Sequence, residues 1–363
     1  MERPAEHSQE NREPAPAPAL TWRQRLGARL GQLHGHWSRV FWTLHSVWAL
    51  TSGTLVLILA RNRWGYVPWV VGFIGLTWAS TLFFSKLAAR FFESAAMRFA
   101  KGFASWATRA MYQNTLFFLI PFYFYSATLT SSNVLYLAAL TALAGLACLD
   151  MVFDRLLRDK KWFALGFFAF VTFSALQFFL PLVFRVRIHN GAYLAAGLSI
   201  LATIPLAYTW AEVKQHRRAW KILAAFLVVI AVLKVARMII PPVPLRVTSI
   251  VFSGGLDTKS LIADRDYVDE IPLSALSSGR LYARAAIFAP VRLATSIRVR
   301  FIIDGDTARW SRALDIHAHD HGFRVWDVLR AQGGAFKPCR IRAEVWTREG
   351  QLVGRRDIRI VDR

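Results

Sequence analysis

The chain has 363 residues, 55% of them hydrophobic, and its 45 Lys/Arg against 23 Asp/Glu give a formal net charge of +22. So high an apolar share with a positive mean hydropathy points to a membrane protein rather than a soluble one. Residues 1 to 240 carry 25 Lys/Arg against 9 Asp/Glu and residues 241 to 363 carry 20 against 14, so most of the excess lies in short loops between apolar runs, which excludes nucleic acid as the partner.

The first twenty residues, MERPAEHSQENREPAPAPAL, are polar and Pro/Ala-rich and lack the apolar stretch of a cleaved signal peptide. Residues 1–36 therefore read as a disordered, basic cytoplasmic segment. Residues 37–240 read as a polytopic transmembrane domain. About 20 apolar residues cross roughly 30 Å of hydrocarbon, and about seven spans are expected. The first is 41 to 60, the second runs from Tyr66 to Phe84, and the third (115 to 130) and fourth (134 to 150) are joined by the uncharged loop Ser131, Ser132, Asn133. The fifth is 162 to 184, the sixth 192 to 210 and the seventh 222 to 240.

Lys/Arg counts orient these spans, because cytoplasmic loops are enriched in basic residues. Segments 1–40, 85–114, 151–161 and 211–221 hold six, five, four and four, while the alternate loops 61–64, 131–133 and 185–191 hold two, none and two. The N-terminus is expected in the cytoplasm and residue 241 outside it, in a bacterial inner membrane. The segment from Ser85 to Asn114 is expected to form a basic amphipathic helix, with Lys86, Arg90, Glu93, Arg98 and Lys101 on one arc and Phe92, Ala95, Phe99, Phe103 and Trp106 on the other. It either lies in the head-group layer or packs beneath the bundle. Ionisable residues within the spans are few. His45, Asp150, Lys234 and Arg237 all stand near an interface, which favours structural roles over an ion pathway.

The Pro-Pro-Val-Pro linker at 241 to 244 ends the last helix. Beyond it, Ile297, Val299, Phe301 and Ile303 alternate with Arg298, Arg300 and Ile302, and Ile341, Ala343 and Val345 alternate with Arg342 and Glu344, the period of half-buried strands. Further strands are expected at 246–253, 281–288, 308–317, 322–330 and 351–361, with turns at Asp304-Gly305 and Glu349-Gly350. The expected fold is thus a membrane all-α region of about seven transmembrane helices plus a C-terminal all-β antiparallel sandwich, residues 241–363, outside the cytoplasm. Two cysteines, Cys148 and Cys339, give no disulfide framework.

Three motifs carry chemistry in principle. Ser253-Gly254-Gly255-Leu256-Asp257-Thr258 follows a strand and is similar to the pyrophosphate-binding loop of the ATP pyrophosphatases, such as argininosuccinate synthase. The helix and parallel sheet which that loop requires do not follow, so a turn is expected. His317, His319 and His321 would share one face of an extended strand and form a candidate site for Zn²⁺ or Cu²⁺. Ser311 lies near them without a triad partner or oxyanion loop.

Five stretches of the C-terminal part carry a resemblance: Leu281-Tyr282; Ala289-Pro290; Asp304-Gly305; Gly322-Phe323-Arg324-Val325-Trp326; and Thr347-Arg348-Glu349-Gly350-Gln351-Leu352-Val353-Gly354-Arg355-Arg356. On them residues 245 to 361 resemble the bacterial domain-of-unknown-function family numbered 2914. Phe301 stands where that family often has Trp, and Phe336-Lys337-Pro338-Cys339 replaces its Gly-x-Trp. The resemblance implies a small β domain with no assigned activity.

The expected function is non-enzymatic: a membrane bundle, partnered by the lipid bilayer, anchors an outer β domain that binds an envelope protein or glycan. Arg324, Trp326, Trp310 and Trp346 are the candidate binding surface, since exposed aromatics and arginines favour interfaces. The alternatives are a small-molecule transporter or channel with an accessory β domain, and a metal-binding sensor or enzyme at the histidines. No cofactor is expected beyond that metal ion.

Overall fold

The computed structural model describes residues 95–184, 186–213, 216–257, 260–289, 295–316, 319–331 and 333–362, with isolated positions at 47, 51, 55 and 72. The chain divides into two compact units, Met1–Val47 and Trp48–Arg363. The second holds the helices and strands from Ala95 onward.

Among the described residues seven helices precede the strands: α1 Ala95–Ser126, α2 Val134–Cys148, α3 Asp150–Asp159, α4 Lys161–Phe184, α5 Ile188–Ala207, the single turn α6 Trp210–Val213, and α7 His216–Ala236. Seven membrane spans do not result. Among the described residues three helical stretches, Lys161–Phe184, Asn190–Ala207 and Ala219–Ala236, are long and apolar enough to cross a bilayer. They match the fifth, sixth and seventh expected spans. The first and second lie outside the described residues, isolated positions aside.

The third and fourth expected spans are not among the three. The third is the C-terminal end of the 32-residue α1, which runs without a break through the expected boundary at Asn114, so the amphipathic segment from Ala95 onward and the apolar run form one helix. Residues 85–94 lie outside the described residues. The fourth, α2, has only 15 residues, about 22 Å at 1.5 Å per residue, and the chain then bends by 101° into α3. Counting that bent pair as one span raises the total to four at most.

Helices α1, α2 and α4 enclose a core of aromatic rings, with Phe122 and Phe178 centroids 4.5 Å apart and Phe118 against both Phe178 and Phe179. One polar cluster crosses it. The Tyr123 hydroxyl donates to the Ser174 carbonyl at 2.9 Å, Tyr136 lies 2.6 Å from Ser174 Oγ, and Ser174 Oγ donates to the Phe170 carbonyl. Buried hydroxyls that all find partners in apolar surroundings fix the mutual rotation of the three helices. Helix α7 differs: it packs on α5 through one stripe and leaves Leu223, Leu227, Val228, Val232 and Val235 exposed.

The β domain has a three-stranded sheet in the order β1-β5-β9 (Arg246–Ser253, Arg280–Ala289, His319–Arg330) and a larger one in the order β4-β11-β10-β6-β7 (Glu270–Pro272, Leu352–Val361, Arg340–Thr347, Ser296–Ile303, Asp306–Trp310). β8 (Leu314–Asp315) also pairs with β6, and β2 (Leu256–Asp257) with β3 (Ile262–Ala263) form a small hairpin. The two sheets bury Phe252, Leu281, Ile287, Phe301, Val325, Ile341 and Ile358 between them. The all-antiparallel expectation needs correcting, because β4 runs parallel to β11. The single strand expected at 308–317 is two pieces. Between them buried Ser311 accepts the Val299 N–H on Oγ and donates to the Arg312 carbonyl, which breaks the ladder. Asp304 and Gly305 both have positive φ, 49° and 105°, as a two-residue turn of the type that matches strand twist requires.

The linker between helices and strands is not a free tether. Residues 241–245 are all buried. Gln177 Nε2 donates to the Pro241 carbonyl at 3.3 Å and Gln351 Nε2 to the Ile240 carbonyl at 3.0 Å. Fully buried Asn133 donates to the Leu352 carbonyl at 3.2 Å while its Oδ1 accepts from Thr128 N and Ser131 Oγ. Arg355 Nε donates to Thr130 Oγ1 at 2.8 Å and its Nη2 to the Thr130 carbonyl. The uncharged loop expected to be a plain connector is thus the socket into which the β10–β11 hairpin fits.

Candidate binding face of the six-stranded sheet

Alternation along β6, β10 and β11 sends Val299, Phe301, Ile341 and Ile358 into the core and the intervening residues outward. Register then aligns the outward residues into a row across four strands: Arg355 of β11 opposite Glu344 of β10, Glu344 opposite Arg300 of β6, and Arg300 opposite Trp310 of β7. Directly opposed side chains interact most strongly in a sheet. Glu344 is 3% exposed and its Oε2 accepts from Arg300 Nε at 2.9 Å, from Arg300 Nη2, and from the Trp346 indole N–H at 2.8 Å.

The Arg300 guanidinium carbon lies 5.2 Å from the Trp310 ring and 5.0 Å from the Trp346 ring. Cation–π attraction to two indoles and a charge-assisted bond to one carboxylate hold it in one orientation. Trp346 is buried beside it, whereas Trp310 remains 45% exposed. The same face carries Arg298 next to Trp346, Arg342 shared with Asp357, and Arg340 opposite Arg359. Bonding to Arg342 and Arg340 holds the Asp357 carboxyl below its usual range. Six arginines against three carboxylates, Glu270 of β4 pairing Arg359 at 2.9 Å, make this a basic surface with a fixed aromatic pair, suited to an anionic or sugar-bearing ligand.

Of the four expected surface residues, Trp310 and Trp346 are brought together here. Arg324 and Trp326 are not: they point outward from β9 on the other sheet, where Trp326 packs 6.1 Å from Tyr282. The sequence reading missed Arg300 and Glu344 as site members, although their outward parity was readable from the alternation. What pairs them is register, which alternation does not supply.

Asp327 of β9 faces inward, opposite Ala283. Its Oδ1 meets Arg309 Nη2 at 3.4 Å, and its buried Oδ2 has no hydrogen-bond partner among the described residues. Burial pushes its carboxyl above the usual range, against the opposing pull of the Val328 N–H and the Arg309 and Arg312 charges. An inward charge on a sheet-edge strand also discourages edge-to-edge pairing.

The glycine-rich motif is a packed turn. A Cβ at Gly254 would stand 1.8 Å from the Ala275 carbonyl oxygen and one at Gly255 1.8 Å from Asp264 Oδ2, and the two-residue strand β2 comes next in place of a helix. A carboxylate sits where a phosphate would need amides. His317 lies outside the described residues, and His319 and His321 lie on β9. Among the described residues no three His, Cys, Asp or Glu side chains stand close enough to hold a metal ion. Cys148 and Cys339 form no disulfide. No curated protein matches the chain. Residues 23–283, the helical part together with the first strands up to the middle of β5, match a family of unknown function, and the chain belongs to that family, DUF5924.

Proposed function

We propose that this protein is a non-catalytic integral membrane protein of the bacterial inner membrane, whose helical part holds a β sandwich rigidly at the outer surface. There the basic, tryptophan-bearing face of the larger sheet binds an anionic envelope glycan. The sandwich itself we take to be of the 2914 type, which supplies a fold and no activity. The observation that carries the binding reading is Arg300, clamped between Trp310 and Trp346 on buried Glu344, with exposed Arg298 beside it and Arg340 and Arg342 sharing one carboxylate, Asp357. Membrane embedding is supported by α7, whose apolar side chains are mostly exposed, a pattern that favours lipid as the surrounding medium. The outward placement is supported by the basic residues of α3 and the start of α4: Lys161 donates to the Ala207 carbonyl at the far end of α5, whereas Ile188 at the near end packs into the core of the sandwich. Filling of the core by Phe118, Phe122, Phe178 and Phe179 favours anchoring over transport.

Titration of full-length protein in nanodiscs with a phosphorylated envelope oligosaccharide, followed by tryptophan emission, tests the reading. A saturable response that neutral dextran does not elicit is expected, weakened about tenfold by Trp310→Ala and less by Arg298→Ala. An equal response to dextran, or unchanged affinity in both variants, would overturn it.

A further inference from the structure

Two rows along the strands from the tryptophans, the larger sheet opens into a cleft of about 390 Å³ lined by Asp269, Arg340, Asp357, Ile358 and Arg359. Arg342 and Asp357 face each other in the row between, so Arg340 stands four residues along β10 from Glu344, about 14 Å at 3.4 Å per residue.

The backbone explains why two cations meet there. Arg340 of β10 is directly opposite Arg359 of β11. The Arg340 N–H donates to Asp304 Oδ1 at 2.9 Å and the Arg359 N–H to the Asp269 carbonyl at 2.9 Å, so each points away from the other strand. The two arginines are therefore a non-hydrogen-bonded pair, the arrangement that brings facing residues closest, with Cα atoms about 4.5 Å apart. Like charges so placed repel. Carboxylates offset part of the repulsion from the sides: Arg340 Nη2 donates to Asp357 Oδ2, Arg342 Nε shares that carboxylate at 2.6 Å, and Arg359 Nη2 meets Glu270 Oε1 at 2.9 Å. Arg340 and Arg359 each use one amino group in this way, of the five N–H bonds that a guanidinium carries. Their side chains stay 62% and 68% exposed, whereas Asp357 is 28% exposed.

We propose that this cleft is a sugar-phosphate subsite: a phosphate monoester of the glycan lies between Arg340 and Arg359, and the sugar that carries it turns its hydroxyls to Asp269. The inference rests on the glycan reading and adds to it the identity and position of the anion. A phosphate brings nearly two negative charges and three acceptor oxygens to two facing guanidiniums. It offsets their mutual repulsion and takes up donors that the carboxylates leave free. Asp269 is 82% exposed and meets Arg356 at 3.4 Å. Its carboxylate accepts from sugar hydroxyls but repels a bare phosphate, so it selects a phosphate that arrives on a sugar. Clefts that hold small ligands begin at about 300 Å³, and a monosaccharide phosphate suits one of this size.

Isothermal titration calorimetry on full-length protein in nanodiscs tests the proposal with three titrants: the envelope oligosaccharide bearing one phosphate monoester, the same oligosaccharide after phosphatase treatment, and inorganic phosphate. The phosphorylated form should bind about tenfold more tightly than the treated one, and inorganic phosphate in molar excess should not displace it. Arg359→Gln should erase the difference between the two oligosaccharides, Arg359→Lys should keep part of it, and Asp269→Asn should let inorganic phosphate compete. Both Arg359 variants should keep the denaturation midpoint of the wild type, because the side chain and its partner are exposed. Equal affinity of the wild type for the two oligosaccharides, or an undiminished phosphate preference in Arg359→Gln, would overturn the proposal. Binding that Trp310→Ala weakens and Arg359→Gln leaves unchanged sinks this inference alone, whereas no binding of the phosphorylated oligosaccharide by the wild type sinks the glycan reading with it.

Discussion

Glu344 and Arg300 form the ion pair on which the outer face of the larger sheet is built: the carboxylate is all but inaccessible, the guanidinium side chain is 25% exposed, and Nε donates to Oε2 at 2.9 Å. Removing one member of a pair like this leaves the other desolvated without compensation. Glu344→Ala should destabilise the protein by about 2–4 kcal/mol, read as a lowered denaturation midpoint. Glu344→Gln should cost less, because an amide oxygen still accepts the Trp346 N–H. Equal loss in the two variants would show that shape rather than hydrogen bonding matters there.

Asn133 is the second test, because its side chain serves three partners at once, in its own loop and on Leu352 of the β domain. Asn133→Ala should cost about 2–3 kcal/mol and should speed hydrogen exchange in residues 128–133 and in the β10–β11 hairpin together. Exchange that rises in the loop alone would mean that the hairpin is held independently.

Gly254 and Gly255 separate two kinds of crowding. A methyl at Gly254 meets backbone, the Ala275 carbonyl, while one at Gly255 meets the carboxylate of a side chain that can rotate away. Gly254→Ala should lower the melting temperature by several degrees more than Gly255→Ala. The reverse order would place the tight contact elsewhere.

Asp327 and Asp357 predict opposite pH dependence. Burial raises the Asp327 carboxyl above its ordinary 3.8 in the folded state, so its contribution is most favourable below 3.8 and is lost as pH rises through the raised value. Asp357 is lowered by its bond to Arg342, so its contribution is present above 3.8 and is lost as pH falls through the lowered value. Relative to wild type, Asp327→Asn should therefore gain stability, and Asp357→Asn lose it, as pH rises from about 3 to 7. Denaturant midpoints across that interval read both slopes, and parallel slopes would refute the assignment.

The amino-acid sequence determines what is periodic. Alternation in Ser296–Ile303 and Arg340–Thr347 is enough to place those strands and to say which side chains face outward, and the apolar runs at 162–184 and 222–240 place α4 to within one residue and α7 with its start six residues late, because both signals repeat within a few positions along the chain. Hydrophobicity alone overcounts spans: it marks 115–130 and 134–150 as apolar but not that one continues a longer helix and the other ends after 15 residues. Only tertiary structure decides which outward residues meet. Arg300 finds Glu344 through a strand register set more than forty positions away, Trp326 is sent to a different sheet from Trp346, and Asn133 reaches Leu352 across 219 positions. Such pairings are fixed by how whole elements pack, and a one-residue slip of register would exchange every partner, which is why no local pattern in the chain can encode them.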